Sequence, residues 1–341
     1  MREEWRDGLR GVVIVLLLVQ HATTRPYWTA GLDPDPWLLQ VCALLKPLRM
    51  PTLMVLSGSL LGRSLSKDWR TFYAGKLRTL AWPFAVWALI VNAELGRLGE
   101  LTGPGWIGSS YLWFIAYLFT YFAAAPLLSR LRPGAVSFGC LVAVVSLPGV
   151  PAGDLDRYLL YLGMFYGGYD AARVGLLPRL QRGPWLGYSS IAAIGISAAA
   201  LATATGEPEP VDGADPLFLA LAGTACAALA LGLAQRWWDA ARSPRLAELG
   251  RHSVVVYCSH LPLMIAVTWA LHAAGVDLPV VLSLANLAAS LAVGWFLIAH
   301  RSHPAVGWLF EAPRRPGAHA HPPSASSRRS SWADTQLPRL R

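Results

Sequence analysis

Ten apolar stretches recur along the chain, near 9–24, 37–62, 76–95, 109–129, 135–150, 157–174, 184–205, 216–235, 252–273 and 278–300. Crossing a hydrocarbon core about 30 Å thick takes ~20 helical residues. In that medium every backbone N–H and C=O has to be paired inside the segment, so a series of such stretches admits only helices. The predicted fold class is therefore all-α, a polytopic integral membrane helical bundle of about ten transmembrane helices. Composition agrees, since 54% of the 341 residues are hydrophobic and only 14% charged. Soluble globules carry roughly a quarter charged residues. Too little polar surface remains to shell two soluble domains, so lipid must cover much of the molecule.

The net charge of +9 does not point to nucleic acid. A nucleic-acid binder gathers its charge in patches on a soluble surface, whereas here it fills the short gaps between apolar runs. With ten spans and an inside N-terminus, 24 of the 29 Lys and Arg fall in cytoplasmic segments. Arg25, Arg97 and Arg157 fall outside, and eleven acidic residues also lie in the outer segments. That asymmetry follows the positive-inside rule. It puts both termini in the cytoplasm and predicts a multi-pass protein of the cell membrane with lipids as partners. The first stretch follows Arg2 and Arg6 as a signal peptide would, but no small-residue cleavage pattern follows, so it reads as a span. Residues 1–311 are expected to form the transmembrane domain and 312–341 a disordered basic cytoplasmic tail, because Pro, Ser, Arg and His dominate there. Its Arg314, Arg315, Arg328 and Arg329 would each gain ~1 kcal/mol at an anionic leaflet.

Cys42, Cys140, Cys226 and Cys258 lie within apolar stretches at no metal-ligand spacing. They read as buried thiols, and no metal site is expected. HExxH, P-loop, GxSxG and GxGxxG patterns are missing from any usable context, which excludes a zincin, a P-loop NTPase, an α/β hydrolase and a Rossmann enzyme.

Ionisable residues inside the spans are the candidates for chemistry, since hydrocarbon penalises them by at least ~2.5 kcal/mol for Arg or Lys at the centre. Arg10 and His21 stand eleven positions apart on the first span. That is close to three turns, so they share one face about 16 Å apart along the axis. An arginine at the cytoplasmic rim can hold phosphates, and a deeper neutral imidazole can act as general base. The plain alternative is a topological anchor and an interhelical contact. Lys46 and Arg49 share the second span with Pro47 and Pro51, ahead of Ser57-Gly58. They predict an interior cavity holding an anion and a break near one of the prolines; a structural pair with Asp170 or Glu94 is the alternative. Lys76 and Arg78 enter the third span, either as topological charges or as phosphate ligands at a cavity mouth. Tyr111, Trp113, Phe114 and Tyr117 read first as an interfacial belt. Ser253, Tyr257 and His260 share a face of the ninth span, where His260 can orient a substrate or make a buried polar contact.

Several blocks, in chain order, carry a resemblance. They are Trp5-Arg-Asp7-Gly8-Leu9-Arg10-Gly11 with His21, Met50-Pro51 through Ser57-Gly58, and Phe72-Tyr73 with Arg78 to Pro83. Leu112-Trp113-Phe114-Ile115, Gly163-Met-Phe165-Tyr-Gly167, and Leu249-Gly250 through His260-Leu-Pro262 complete the set. Together they resemble acyltransferase family 3, the integral membrane sugar and antibiotic O-acyltransferase group, in its stand-alone form. The resemblance implies transfer of an acyl group, acetyl foremost, from acyl-CoA (acetyl-CoA as co-substrate) to a hydroxyl of a glycan, a lipid-linked sugar or a small natural product. It also implies that His21 is the essential histidine, Arg10 its partner and Arg78 the later basic motif. Ser59 after the Ser-Gly pair, and Leu53 and Met54 where aromatics are usual, depart from the pattern.

The expected site therefore has His21 and Arg10 as catalytic residues and Arg10, Arg49, Lys46, Lys76 and Arg78 on the acyl-CoA. Trp113, Ser57, Tyr257 and His260 are expected on the acceptor. Arg49 or Lys46 would stabilise the oxyanion, and an acyl-histidine route is the covalent variant. The rival from another class is a permease or flippase for an amphipathic anion using Lys46 and Arg49. The lack of an internal repeat counts against it.

Overall fold

A computed structural model describes residues 4–99, 111–146, 155–203, 216–239 and 242–313. Every one of the ten apolar stretches is helical where described, and no strand occurs among the described residues. The helices are α1 (Glu4–Ala30), α2 (Pro36–Ser59), α3 (Leu61–Leu65), α4 (Trp69–Lys76), α5 (Trp82–Glu94), α6 (Trp113–Leu128), α7 (Pro133–Ser146) and α8 (Leu155–Arg173). After them come α9 (Leu177–Leu180), α10 (Gly183–Thr203), α11 (Pro216–Trp237), α12 (Pro244–Arg251), α13 (Ser253–Ala273), α14 (Pro279–Ala299) and α15 (Pro304–Trp308). The segments Pro36–Leu65, Ser253–Ala273 and Pro279–Ala299 are each long and apolar enough to cross a bilayer unaided. The molecule is a helical membrane bundle. The expected tail lies outside the described residues beyond Pro313, as does the end of the fifth stretch beyond Ser146.

Local sequence sets the helix starts. Asp35 and Ser243 stand directly before Pro36 and Pro244, and their side chains accept from Trp37 N at 3.1 Å and Leu246 N at 3.3 Å. An acceptor at the N-cap followed by proline at the first helical position is the expected start signal. Between α4 and α5 the backbone opens into a π-helical turn over Leu77–Ala81, just before Pro83. Proline lacks an N–H and its ring crowds the carbonyl four residues back, and a wider turn accommodates both.

The expected break in the second stretch does not occur at either proline. α2 runs unbroken through Pro47 and Pro51 and ends after Ser59, where Leu60 separates it from α3. Each proline removes a single intrahelical hydrogen bond, and packed neighbours can keep the helix continuous across that loss.

Helices in lipid gain nothing from hiding apolar faces from one another, so close packing at small residues must hold them. Two crossings show this. A Cβ built on Gly58 of α2 would lie 1.8 Å from the Phe165 carbonyl oxygen of α8. One built on Gly250 of α12 would lie 1.8 Å from the Asp7 carbonyl oxygen of α1. Several buried polar side chains find partners on their own helix or on a neighbouring one. Thr23 and Thr24 donate to the carbonyls of Val19 and Gln20 at 2.9 and 3.1 Å, and Asn286 of α14 donates to Thr268 of α13 at 3.0 Å.

After α14 the chain folds back as a strap on the start of α5. Arg78 Nη2 pairs with Glu311 at 2.6 Å and its Nε donates to the Ala312 carbonyl at 3.0 Å. The indoles of Trp82 and Trp87 donate to the carbonyls of Trp308 and Leu309 at 2.7 and 3.1 Å. Phe310 is buried and stacked on Trp87.

Candidate functional site

The Gly250 crossing brings α12 against the first turns of α1, and with it the Arg251 side chain beside Arg10. Between the two stands Asp7, 4% exposed. Its Oδ1 is 3.3 Å from Arg10 Nη1 and its Oδ2 3.9 Å from Arg251 Nε. Arg251 Nη1 also meets Glu248 at 2.9 Å. One buried carboxylate therefore stands between two guanidinium groups, hydrogen-bonded to Arg10 and at ion-pair distance from Arg251.

These arginines line a cavity of about 290 Å³ whose wall also includes Lys76, Ser64, Ser57, Leu53, Phe114 and Tyr257. Lys76 reaches it from α4, its Nζ 3.4 Å from Ser64 Oγ and 3.3 Å from the centroid of the Phe122 ring. Three cations from three separate elements thus share one cavity of the size that takes a slim ligand. The geometry suits an anionic group at the charged end and an apolar arm beyond it. A larger cavity of about 410 Å³ is lined by residues such as Leu160, Met164 and Leu231, with Asp170, Ser137 and Thr224 as its polar edge. No predicted site residue lines it.

The family model for an acyltransferase domain, acyltransferase family 3, matches residues 3–299, which include every element around the smaller cavity. The chain belongs to acyltransferase family 3. No curated protein and no solved structure matches it. As a family 3 protein it is a membrane acyltransferase.

Within this family 3 bundle, Arg10, Lys76, Ser57 and Tyr257 of the expected residues meet at the cavity. His21 and His260 do not line it but face one another, ring centroids 5.1 Å apart. They are coupled to it through Tyr257, whose carbonyl lies 2.7 Å from His260 Nδ1. Arg49 is 3% exposed, hydrogen-bonded with Cys42, and within electrostatic range of Tyr161 and His21. Lys46 is half-buried and is not among the cavity's lining residues. Arg78 is engaged with the C-terminal strap instead. Trp113 stacks on Tyr161 at 5.3 Å with the Arg157 guanidinium 4.9 Å from its ring, an aromatic platform apart from the cavity. Tyr111, expected in an interfacial belt, turns inward: its hydroxyl donates to the Cys258 carbonyl at 2.6 Å, and the Tyr257 hydroxyl donates to the Tyr111 carbonyl.

Sequence reasoning missed Arg251 and Asp7 as site residues. Arg251 reads as one more cytoplasmic positive charge, and Asp7 as a first-turn acid suited to the helix dipole.

Proposed function

We propose that this family 3 protein is a multi-pass enzyme of the cell membrane with both termini in the cytoplasm. It moves an acyl group, acetyl foremost, from acyl-CoA to a hydroxyl of a glycan, lipid-linked sugar or small natural product, an O-acetylation of the cell envelope or of an exported compound. The supporting observation is the joining of Arg10, Lys76 and Arg251 around one cavity whose wall includes Tyr257, one turn from His260, whose ring lies against that of His21.

The acyl-CoA phosphates meet the three cations, where the arginine forks and the ammonium offer charge-assisted hydrogen bonds. The pantetheine arm runs inward past Leu53, Phe114 and Tyr257. His21 acts as general base on the acceptor hydroxyl, whose oxygen attacks the thioester carbonyl. Arg49, buried beside His21, stabilises the negative oxygen that develops there. The acceptor lies on the far side of the imidazoles, toward Trp113 and Tyr161.

The test is transfer of label from radiolabelled acetyl-CoA to a glycan and lipid extract of the source cells by the protein reconstituted in liposomes. His21→Ala abolishes the transfer while insertion and thermal stability are kept. Full transfer by a folded His21→Ala protein rules the reading out.

A further inference from the structure

His260 stands in α13 at 1% exposure. Its Nδ1 lies 2.7 Å from the Tyr257 carbonyl and 3.2 Å from the Val256 carbonyl. Carbonyl oxygens only accept, so the hydrogen belongs on Nδ1 and Nε2 is left as a bare acceptor. That Nε2 is buried and has no hydrogen-bond partner among the described residues. A buried acceptor in a membrane bundle calls for a donor, because no lipid can supply one.

Three rings surround it: His21 at 5.1 Å, Tyr111 at 5.6 Å and Tyr257 at 5.9 Å between centroids. The Tyr111 hydroxyl is already spent on the Cys258 carbonyl, and that of Tyr257 on the Tyr111 carbonyl. Of the three rings, His21 is the one with an N–H to give. At 5.1 Å between centroids its ring is near enough for a nitrogen of each imidazole to reach hydrogen-bond distance by side-chain rotation, and catalytic hydrogen bonds are commonly long until a ligand is bound.

We infer that His21 and His260 form a working pair, in which His21 donates its N–H to Nε2 of His260 and thereby presents its other nitrogen, bare, to the acceptor hydroxyl. The inference rests on the reading of His21 as the base. His260 is then a positioning residue, acting through His21. Its own orientation is set by two backbone carbonyls of α13.

The proton count closes. The hydroxyl proton passes to the bare nitrogen of His21 as the hydroxyl oxygen forms its bond to the thioester carbonyl carbon. The imidazolium so formed leans its second N–H on His260, which matters because the cations Arg25 and Arg49 lie within electrostatic range of His21. When the tetrahedral species collapses, the C–S bond breaks, its electron pair goes to sulfur, and His21 returns the proton to the CoA thiolate. His260 ends in the state in which it began.

Nitrogen NMR of protein labelled with 15N-histidine, in lipid bilayers with CoA bound, tests the pairing directly. The Nε2 signal of His260, assigned by its loss in His260→Phe, is expected at the position of a hydrogen-bonded acceptor and to move to that of an unbonded nitrogen in His21→Ala. A signal unchanged by His21→Ala overturns the pairing. In the radiolabelled acetyl-CoA assay, His260→Phe keeps the ring packing and is expected to lower kcat roughly 100-fold, with the KM for acetyl-CoA altered less than about twofold. His260→Gln, whose amide oxygen can accept from His21, is expected to recover about tenfold of that loss. An unaltered kcat in His260→Phe, or an equal loss in Phe and Gln, overturns the role. If the Phe variant does not fold, the loss of the signal in His260→Gln supplies the assignment, and the spectra of the wild type and His21→Ala decide the question. Failure of the wild type to transfer any label would sink the acyltransferase reading, whereas the NMR result stands or falls on the pair alone.

Discussion

Gly250→Ala puts the close crossing of α1 and α12 to a quantitative test. The added methyl would stand 1.8 Å from the Asp7 carbonyl oxygen and 2.6 Å from the Gly11 nitrogen. Both are backbone atoms, so no rotamer change relieves the clash, and the separation has to grow to an ordinary contact of about 3.5 Å. Overpacking of this kind costs ~1–3 kcal/mol. At roughly 2–4 °C per kcal/mol, the melting temperature in detergent should fall by several degrees. Function should suffer more than stability. Asp7 is the carboxylate shared by Arg10 and Arg251, and a shift of about 1 Å in a positioning group can cost up to ~100-fold in rate. Intrinsic fluorescence melts and acyl-CoA titration of the reconstituted protein supply the two readouts. Gly75→Ala is the control, because a Cβ there meets nothing within 4 Å, and in a helix that change is expected to be neutral or stabilising by up to ~1 kcal/mol. A Gly250→Ala protein that melts and binds acyl-CoA like the wild type would refute the claim that this contact builds the site.

Further outcomes follow from the same geometry. Arg251→Gln removes one of three cavity cations and should raise the KM for acetyl-CoA about tenfold, or ~1.4 kcal/mol, with kcat nearly unchanged; an unchanged KM would remove Arg251 from the donor site. Arg78→Ala should leave that KM alone. It should instead loosen the strap over 304–313, seen as faster limited proteolysis there, since Arg78 holds Glu311 and Ala312. Glu4 is exposed and held below the usual carboxylate range by its hydrogen bond from Arg242 and then by that residue's charge. A depressed carboxylate stabilises the fold above its ordinary pKa near 4.5 and loses that contribution as pH falls through the lower folded value. The pH dependence of detergent melting below pH 4.5 should therefore shrink in Glu4→Gln, and equal slopes would show that the pair adds nothing.

Much of the fold was legible because hydrocarbon leaves a chain few choices. Apolar length marked the long helices, whereas short ones such as α4, α12 and α15 lie outside the ten stretches and carried no such signal. The prolines of the second stretch misled, since Pro47 and Pro51 carry the usual signature of a break while α2 runs unbroken through both. A single missing hydrogen bond is a local signal; whether it bends a helix depends on what packs beside it.

The site was legible only in part. Helical periodicity alone put Arg10 and His21 on one face, and Tyr257 and His260 on another. Arg78 and Lys76, two residues apart, looked equivalent in sequence. A π-helical turn and the returning strap separate them, so that one meets the cavity and the other meets Glu311. By itself, then, the sequence determined a helical bundle in lipid, its family and the side chains capable of chemistry, because composition and period are properties of contiguous residues. Which of those side chains meet was decided by the tertiary structure alone. Asp7 with Arg10 and Arg251, and His21 with His260, are brought together by helix crossings that depend on close packing between segments far apart in the chain, which no local period records.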